Sequence, residues 1–142
     1  MNHPPDLPIE TLVQEHRVHR SLYTDEAIFS AEMNRVFGAT WTYLAHESEL
    51  PHPHSFVRRK LGLRPVIVSR DRDGALHVLL NRCTHRGATV CRQDEGTARR
   101  FTCPYHNWSF DSAGALVGVP IEEGYGPGFD KTALGLGKAR VA

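Results

Sequence analysis

Apolar side chains recur at three- and four-residue spacings between residues 23 and 38, in the segment YTDEAIFSAEMNRVFG. This spacing places one apolar stripe along a helix, and we expect that stripe to pack into a core. Thr24 or Asp25 is suited to cap the first turn, and Gly38 is suited to end the helix. The residues of the stripe are Ile28, Phe29, Met33, Val36 and Phe37.

Beyond Gly38 the pattern changes to short apolar runs separated by turns. The stretch TWTYLAHE, residues 40–47, is rich in aromatic and β-branched residues, which is typical of a strand. The runs RPVIVSR and ALHVLLNR flank Asp73-Gly74, which is a strong hairpin signal.

The same arrangement recurs in FTCPYHNWSFDSAGALVGVP, with Ser112-Ala113-Gly114 as its turn. The final stretch, GLGKARVA, predicts the start of another strand. Short strands with frequent turns predict a mostly β chain, a small antiparallel β domain preceded by one α-helix. We place the N-terminal extension and helix at residues 1–38 and the β domain at residues 39–142.

The composition is that of a single globular domain. The chain has 142 residues, of which 40% are apolar and 23% charged, and its formal net charge is +1. Such a balance gives no sign of a nucleic-acid or membrane partner, and runs such as Val66–Val68 are far too short to span a bilayer. The N-terminus lacks the pattern of a signal peptide, and three cysteines do not suit a disulfide framework. We therefore expect a reducing, cytoplasmic location.

All three cysteines lie between residues 81 and 108, and two of them are followed closely by a histidine. One residue separates Cys83 from His85, and two residues separate Cys103 from His106. Two thiolates and two imidazoles suit either a tetrahedral zinc ion or a Rieske [2Fe-2S] cluster, in which the thiolates hold one iron and the imidazoles the other. Zinc fingers usually pair cysteine with cysteine, so the mixed pairs favour the cluster.

The residues around these pairs are suited to a cluster loop. Gly87 allows a tight backbone turn, and Pro104 stiffens the second loop between its two ligands. Neutral imidazoles in place of two thiolates make the cluster less negative, which raises its potential to between about −150 and +300 mV. We expect three aromatic side chains to form an apolar wall that limits water: Tyr105, Trp108 and Phe110.

The segments CTHRG and CPYHNWSFDSAG resemble the N-terminal Rieske domain of the α subunit of ring-hydroxylating oxygenases. The resemblance extends from about Val18 to the end of the chain, with Asn107 standing where many members have glycine. It implies that the four paired residues hold the cluster, that Arg86 belongs to the surrounding shell, and that electrons leave through His106. Respiratory Rieske proteins carry a bracing disulfide and a serine where this chain has Trp108, so the comparison favours the low-potential branch.

In this family the resemblance implies a second domain with a mononuclear Fe(II) site, and this chain offers no convincing set of two histidines and a carboxylate. We therefore expect an electron-transfer fragment of an aromatic-ring-hydroxylating dioxygenase or monooxygenase, truncated before its catalytic domain. The implied partners are a ferredoxin or flavin reductase as donor, neighbouring α subunits in a trimer, and a β subunit.

Two alternatives remain open from the sequence, a free-standing Rieske ferredoxin and a structural zinc domain. Cys91 is expected to be a small buried residue and not a fifth ligand. Small basic clusters at residues 58–60 and 99–100 are mostly expected to be solvated, although one of them near the cluster loop could dock an acidic ferredoxin.

Overall fold

The computed structural model describes residues 9–142 and separates the chain into two compact units, Met1–Tyr43 and Leu44–Ala142. Residues 1–8 of the N-terminal extension lie outside the described residues. None of the helices within residues 9–142 is long and apolar enough to cross a membrane. The elements of the first unit are α1 (Ile9–Leu12), β1 (Val13–Gln14), β2 (Arg17–Val18), α2 (Ser21–Thr24) and α3 (Glu26–Arg35).

Helix α3 confirms the helix predicted from the apolar spacing. Asp25 is its N-cap, because its carboxylate accepts hydrogen bonds from the backbone N–H groups of Ala27 at 2.8 Å and Ile28 at 3.2 Å. Gly38 lies three residues beyond the last helical residue, Arg35, so it does not itself end the helix.

The core role predicted for the apolar stripe is wrong for three of its five members. Only Ile28 is fully buried, whereas Phe29 and Val36 are each 47% exposed and Phe37 is 40% exposed. The other described elements of this unit are two- and four-residue pieces, which provide little apolar surface against α3. The periodicity therefore predicted the helix correctly and its burial incorrectly.

The second unit is an antiparallel β domain, as predicted. Its strands are β3 (Ser55–Leu61), β4 (Arg64–Arg70), β5 (Leu76–Leu80), β6 (Glu95–Thr97), β7 (Arg100–Thr102), β8 (Ser109–Asp111), β9 (Leu116–Gly118) and β10 (Lys138–Ala139). The five-stranded sheet has the order β10-β5-β4-β3-β6, and the three-stranded sheet has the order β7-β8-β9. Short 3₁₀ turns precede β3 and follow β9.

Both predicted hairpin turns are confirmed, and they share one construction. In each turn an aspartate side chain accepts two backbone N–H bonds: Asp71 from residues 73 and 75, and Asp111 from residues 113 and 115. Gly74 has φ +91° and Gly114 has φ +86°, a left-handed backbone that favours glycine. The sequences DRDGA and DSAGA therefore form the same five-residue turn.

Two segments differ from the strands predicted by sequence. Residues 40–46 form no regular strand, although Leu44 and Ala45 pack against the apolar cluster on one face of the five-stranded sheet. Strand β3 lies inside the larger sheet, between β4 and the edge strand β6. The sequence pattern missed it because Arg58, Arg59 and Lys60 interrupt its apolar residues.

The larger sheet has an apolar cluster on each face, because successive strand residues point in opposite directions. On one face Phe56, Ile67 and Leu79 join Phe101 and Phe110 of the smaller sheet in a single core. Phe56 meets Phe101 edge to face, with 5.3 Å between the ring centroids. The other face holds a second cluster, formed by Leu50, Val57, Val66, Val68 and Val78.

Candidate metal centre

Two loops carry the paired cysteines and histidines, and their backbones close in the same way. The first loop follows β5, and the second connects β7 to β8. In the first loop the N–H of Cys83 donates to the carbonyl of Ala88 at 2.8 Å, and the N–H of Gly87 donates to the carbonyl of Cys83 at 2.8 Å.

The second loop repeats this hydrogen-bonded ring residue for residue. The N–H of Cys103 donates to the carbonyl of Trp108 at 2.8 Å, and the N–H of Asn107 donates to the carbonyl of Cys103 at 3.0 Å. In both loops the cysteine N–H therefore donates to the carbonyl five residues ahead, and the cysteine carbonyl accepts from the N–H four residues ahead. The histidine occupies the second position after the cysteine in the first loop and the third position in the second loop.

Asn107 and Gly87 occupy equivalent positions and share a left-handed backbone. The φ angle of Gly87 is +78° and that of Asn107 is +56°. Asparagine is among the residues that adopt this region most readily after glycine. The structure thus gives a physical reason why asparagine can stand at a position where the family resemblance suggested glycine.

Replacing Asn107 with valine is expected to lower the free energy of unfolding by about 1–2 kcal/mol, since a β-branched residue is poorly tolerated at positive φ. Asn107→Gly, the matched control, is expected to stay within about 0.5 kcal/mol of the wild type, because glycine adopts this backbone without strain. Chemical denaturation followed by circular dichroism measures both. Equal stabilities for the valine and glycine variants would contradict the strain argument.

The cysteines of the two pairs, Cys83 and Cys103, form the buried part of the site. Cys83 and Cys103 are 3% and 2% exposed, and both lie in the same buried core. Burial raises the pKa of the Cys83 thiol; the backbone N–H of His85 opposes that rise, while the Cys103 thiol adds to it. Two buried thiols side by side, with backbone N–H groups directed at one sulfur, form a preorganised pair of soft metal donors.

The two histidines form a second pair nearer the surface. The ring centroids of His85 and His106 are 4.7 Å apart, and His85 is half-buried while His106 is exposed. Nδ1 of His85 is buried and has no hydrogen-bond partner. Burial, and then the neighbouring His106 and Arg86, lower the pKa of His85, which favours the neutral imidazole that binds metals.

An aromatic group covers His85 on its buried side. The indole of Trp108 stacks on the imidazole with 4.6 Å between centroids and 11° between planes. The Nε1–H of Trp108 donates to the hydroxyl of Tyr125 at 3.3 Å, and Phe129 stacks on Tyr125 with 4.7 Å between centroids. Tyr125 and Phe129, which the sequence analysis did not single out, therefore supply part of the wall.

Asn81 braces the first loop from within the core. Its side chain is 1% exposed; its amide oxygen accepts from the N–H groups of Val90 and Cys91, and its amide nitrogen donates to the carbonyl of Cys91 at 2.7 Å. These bonds fix the return of the loop to the end of β5. The sequence analysis missed this role, because a lone asparagine before a cysteine carries no pattern that identifies a buried clamp.

The other residues singled out from sequence lie as follows. Trp108 and Phe110 are buried in the predicted wall, whereas Tyr105 is 64% exposed, so its predicted part in the wall is wrong. Arg86 and Pro104 are exposed at the loop tips. Cys91 is buried, as predicted, and its thiol faces the carbonyl of Gln93.

The donor set fits a binuclear cluster, because the four side chains form two pairs. Among residues 9–142, no group of three or more His, Cys, Asp or Glu side chains is placed to hold a metal ion, and the thiols and the imidazoles lie as two separate pairs. Two thiols at one end and two imidazoles at the other are the donors that a Rieske cluster requires. The unpartnered Nδ1 of His85 is the buried polar atom that a metal bond would satisfy.

Comparison with known proteins shows the family of the chain. The family model for the Rieske [2Fe-2S] domain matches residues 40–127. The chain belongs to the Rieske [2Fe-2S] domain family. The Rieske domain is therefore mostly β, as predicted, and its family cofactor is the [2Fe-2S] cluster.

The relatives of this Rieske domain are much longer proteins. Biphenyl 2,3-dioxygenase subunit alpha of Rhodococcus jostii (strain RHA1) is 43% identical over 138 residues, which cover 96% of this chain and 30% of that protein. Naphthalene 1,2-dioxygenase from a Rhodococcus species is 36% identical with a TM-score of 0.84, over 92% of this chain and 30% of that chain. The chain thus spans about a third of the length of these relatives.

A monooxygenase of a different substrate class shares the fold. A quaternary ammonium Rieske monooxygenase, whose structure was described for carnitine oxidation by gut microbiota and inter-subunit electron transfer, is 30% identical with a TM-score of 0.80. It is matched over 87% of this chain and 33% of that chain.

Proposed function

We propose that this chain is the electron-transfer domain of the α subunit of an aromatic-ring-hydroxylating oxygenase. Cys83 and Cys103 would hold one iron of the cluster, and His85 and His106 the other. The observation that carries this proposal is the meeting of two thiols and two imidazoles in two loops with the same hydrogen-bonded ring. Bound in that place, the cluster supplies a centre that accepts and gives up one electron at a time.

Different residues of the protein would have different roles at such a centre. The buried thiols and the core around them hold the inner end away from water. Trp108 and Tyr125 fix the plane of His85 by stacking and by their hydrogen bond. His106, being exposed, is the ligand through which a neighbouring redox group can be reached, and we propose it as the route of electron exit.

The match to oxygenase α subunits supports this role over that of a free-standing carrier. The similarity to the biphenyl enzyme covers 96% of the chain and so includes most of the N-terminal unit as well as the Rieske domain. By this proposal the mononuclear iron and the hydroxylation of substrate belong to the rest of a parent protein. Neighbouring α subunits, a β subunit, and a ferredoxin or flavin reductase would be its partners, in the cytoplasm.

The test is the metal content and spectrum of the chain purified without oxygen. We expect two irons and two acid-labile sulfides per chain, a red-brown colour, and a paramagnetic signal on reduction that is typical of mixed cysteine and histidine ligation. We expect a reduction potential near about −150 mV, at the low end of the Rieske range. A colourless protein with one zinc and no sulfide would contradict the proposal.

A further inference from the structure

The strap, residues 121–135, connects the smaller sheet to the larger one and contacts both ligand loops. It begins three residues after the end of β9, and it leads to β10. Just beyond the strap, the N–H of Leu136 donates to the carbonyl of Gly114 at 2.7 Å, and β10 pairs with β5. Both ends of the strap are therefore fixed to the β domain.

The strap contacts the second ligand loop through Tyr125. The hydroxyl of Tyr125 accepts a hydrogen bond from the Nε1–H of Trp108, and Trp108 lies two residues after the proposed ligand His106. Trp108 is 3% exposed, so loss of this acceptor would leave a buried donor without its partner. Because the indole also stacks on His85, a displaced Trp108 would release the plane of that imidazole.

The strap contacts the first ligand loop through Leu134. The hydroxyl of Thr84 donates to the carbonyl of Leu134 at 2.6 Å. Thr84 stands between the two proposed ligands of that loop, Cys83 and His85. One segment thus hydrogen-bonds to both loops, in each case within two residues of a proposed ligand.

Contacts within the strap join the two points of attachment. The ring of Phe129 stacks on Tyr125 and meets Trp108 edge to face, with 5.9 Å between centroids in the second pair. The Nζ of Lys131 donates to the carboxylate of Glu122 at 2.8 Å. Phe129 also packs against the core that contains Cys83 and Cys103. We therefore expect the strap to open and close as one unit.

The strap begins at a strained residue. Ile121 has φ +53°, a left-handed backbone that a β-branched residue rarely adopts, and its side chain is 74% exposed. Such strain persists only where the surrounding contacts offset its cost. The hydrogen bonds of Tyr125 and Thr84 are contacts of that kind, so their loss would favour opening.

We propose that Tyr125 and Thr84 are positioning residues through which the strap holds both ligand loops in place and limits loss of the cluster. The inference rests on the proposed function, because it concerns retention of the same cluster. Opening of the strap breaks both hydrogen bonds in one event. Water then reaches the side of His85 that Trp108 covers.

The experiment measures how fast a chelator removes iron from the purified full chain. Tyr125→Phe and Thr84→Val are each expected to speed the loss by about three- to ten-fold, the effect of one net hydrogen bond. The double variant is expected to show the product of the two factors, because both bonds resist the same opening and their free energies add. Thr84→Ser restores the hydroxyl and is expected to keep the wild-type rate.

Tyr43→Phe is the matched control, because it removes the same atom from a tyrosine that is 77% exposed and lies outside the strap. It is expected to lose iron at the wild-type rate. The g-values of the reduced protein are expected to shift in Tyr125→Phe, where the plane of His85 is no longer fixed, and to stay unchanged in the control. Equal rates in the Tyr125 and Tyr43 variants overturn the proposal, and a double variant no faster than the faster single variant shows that the strap does not act as one unit.

Fluorescence quenching separates this inference from the proposed function. In a Trp41→Phe background Trp108 is the only tryptophan of the chain. Tyr125→Phe and Thr84→Val are expected to raise its quenching by acrylamide by about two-fold or more, since both favour opening. If the wild-type chain carries the cluster, unchanged iron loss and unchanged quenching overturn the strap alone. If it carries no iron, the proposed function fails first, and unchanged quenching would show that the strap does not hold Trp108 either.

Discussion

Cys83→Ala is expected to yield a protein with no iron, no acid-labile sulfide and no visible absorbance. Cys83 is 3% exposed and lies in the same buried core as Cys103, so its removal leaves one sulfur where the proposed cluster requires two. Metal analysis together with the visible and paramagnetic resonance spectra of the purified variant measures the loss.

Cys91→Ala is the matched control for this experiment. Cys91 is also buried, at 6% exposure, and lies in the same apolar cluster, but its thiol faces the carbonyl of Gln93. Because the change removes a similar volume without touching a proposed ligand, the spectrum is expected to remain that of the wild type. Bleaching in the Cys91 variant, or retained colour in the Cys83 variant, would contradict the ligand assignment.

Phe110→Ala is expected to lower the free energy of unfolding by about 3–5 kcal/mol. Phe110 is 0% exposed on β8, in the single core that joins the two sheets and includes Cys83 and Cys103. Removing its ring leaves a cavity between the sheets that the surrounding strands fill only in part. Chemical denaturation of the variant and of the wild type, followed by circular dichroism, gives the difference.

Val117→Ala on the adjacent strand controls for a general weakening of the smaller sheet. Val117 is 37% exposed, so its truncation is expected to cost less than about 1 kcal/mol. A Phe110 variant no less stable than the Val117 variant would show that the core between the sheets does not depend on this ring.

Turn chemistry accounts for much of the fold that sequence could predict. Aspartate followed three residues later by glycine fixes both hairpins, since the carboxylate binds two N–H groups and the glycine adopts positive φ. These signals are local, so the flanking strands could be predicted without knowing which strands they pair with. The N-cap of α3 was predictable for the same reason, because Asp25 acts on residues two and three positions away.

Whether a side chain is buried depends on which element packs against it, and the sequence was less informative about that packing. Strand β3 carries three consecutive basic residues and still lies inside a sheet, because residues 55–57 pair with the edge strand β6 and the whole strand pairs with β4. The apolar stripe has helical spacing, yet Phe29 on α3 and Phe37 just beyond its end stay exposed. Periodicity fixes which residues share a face and does not fix what covers that face.

The candidate site also combines features that local sequence predicts with features that depend on the tertiary fold. The spacing of Cys83, His85, Cys103 and His106 is enough to predict a shared centre, because the donor types and their order are unusual. The bracing of the first loop by Asn81 and the contact of Tyr125 with Trp108 were not predictable, since each joins residues whose meeting depends on the tertiary fold.

The placement of the two ligand loops has a consequence for the durability of the domain. One loop extends from the larger sheet and the other belongs to the smaller sheet, so a cofactor held by both would act as a cross-link between them. The two sheets otherwise share an apolar core and a few hydrogen bonds, such as that from the Ser69 hydroxyl to the carbonyl of Ser112. Iron affinity and resistance to denaturation would then be two measures of one linked equilibrium. Oxidative loss of iron would weaken the packing of the two sheets against each other. A cell short of iron would then accumulate a form that proteases degrade more easily.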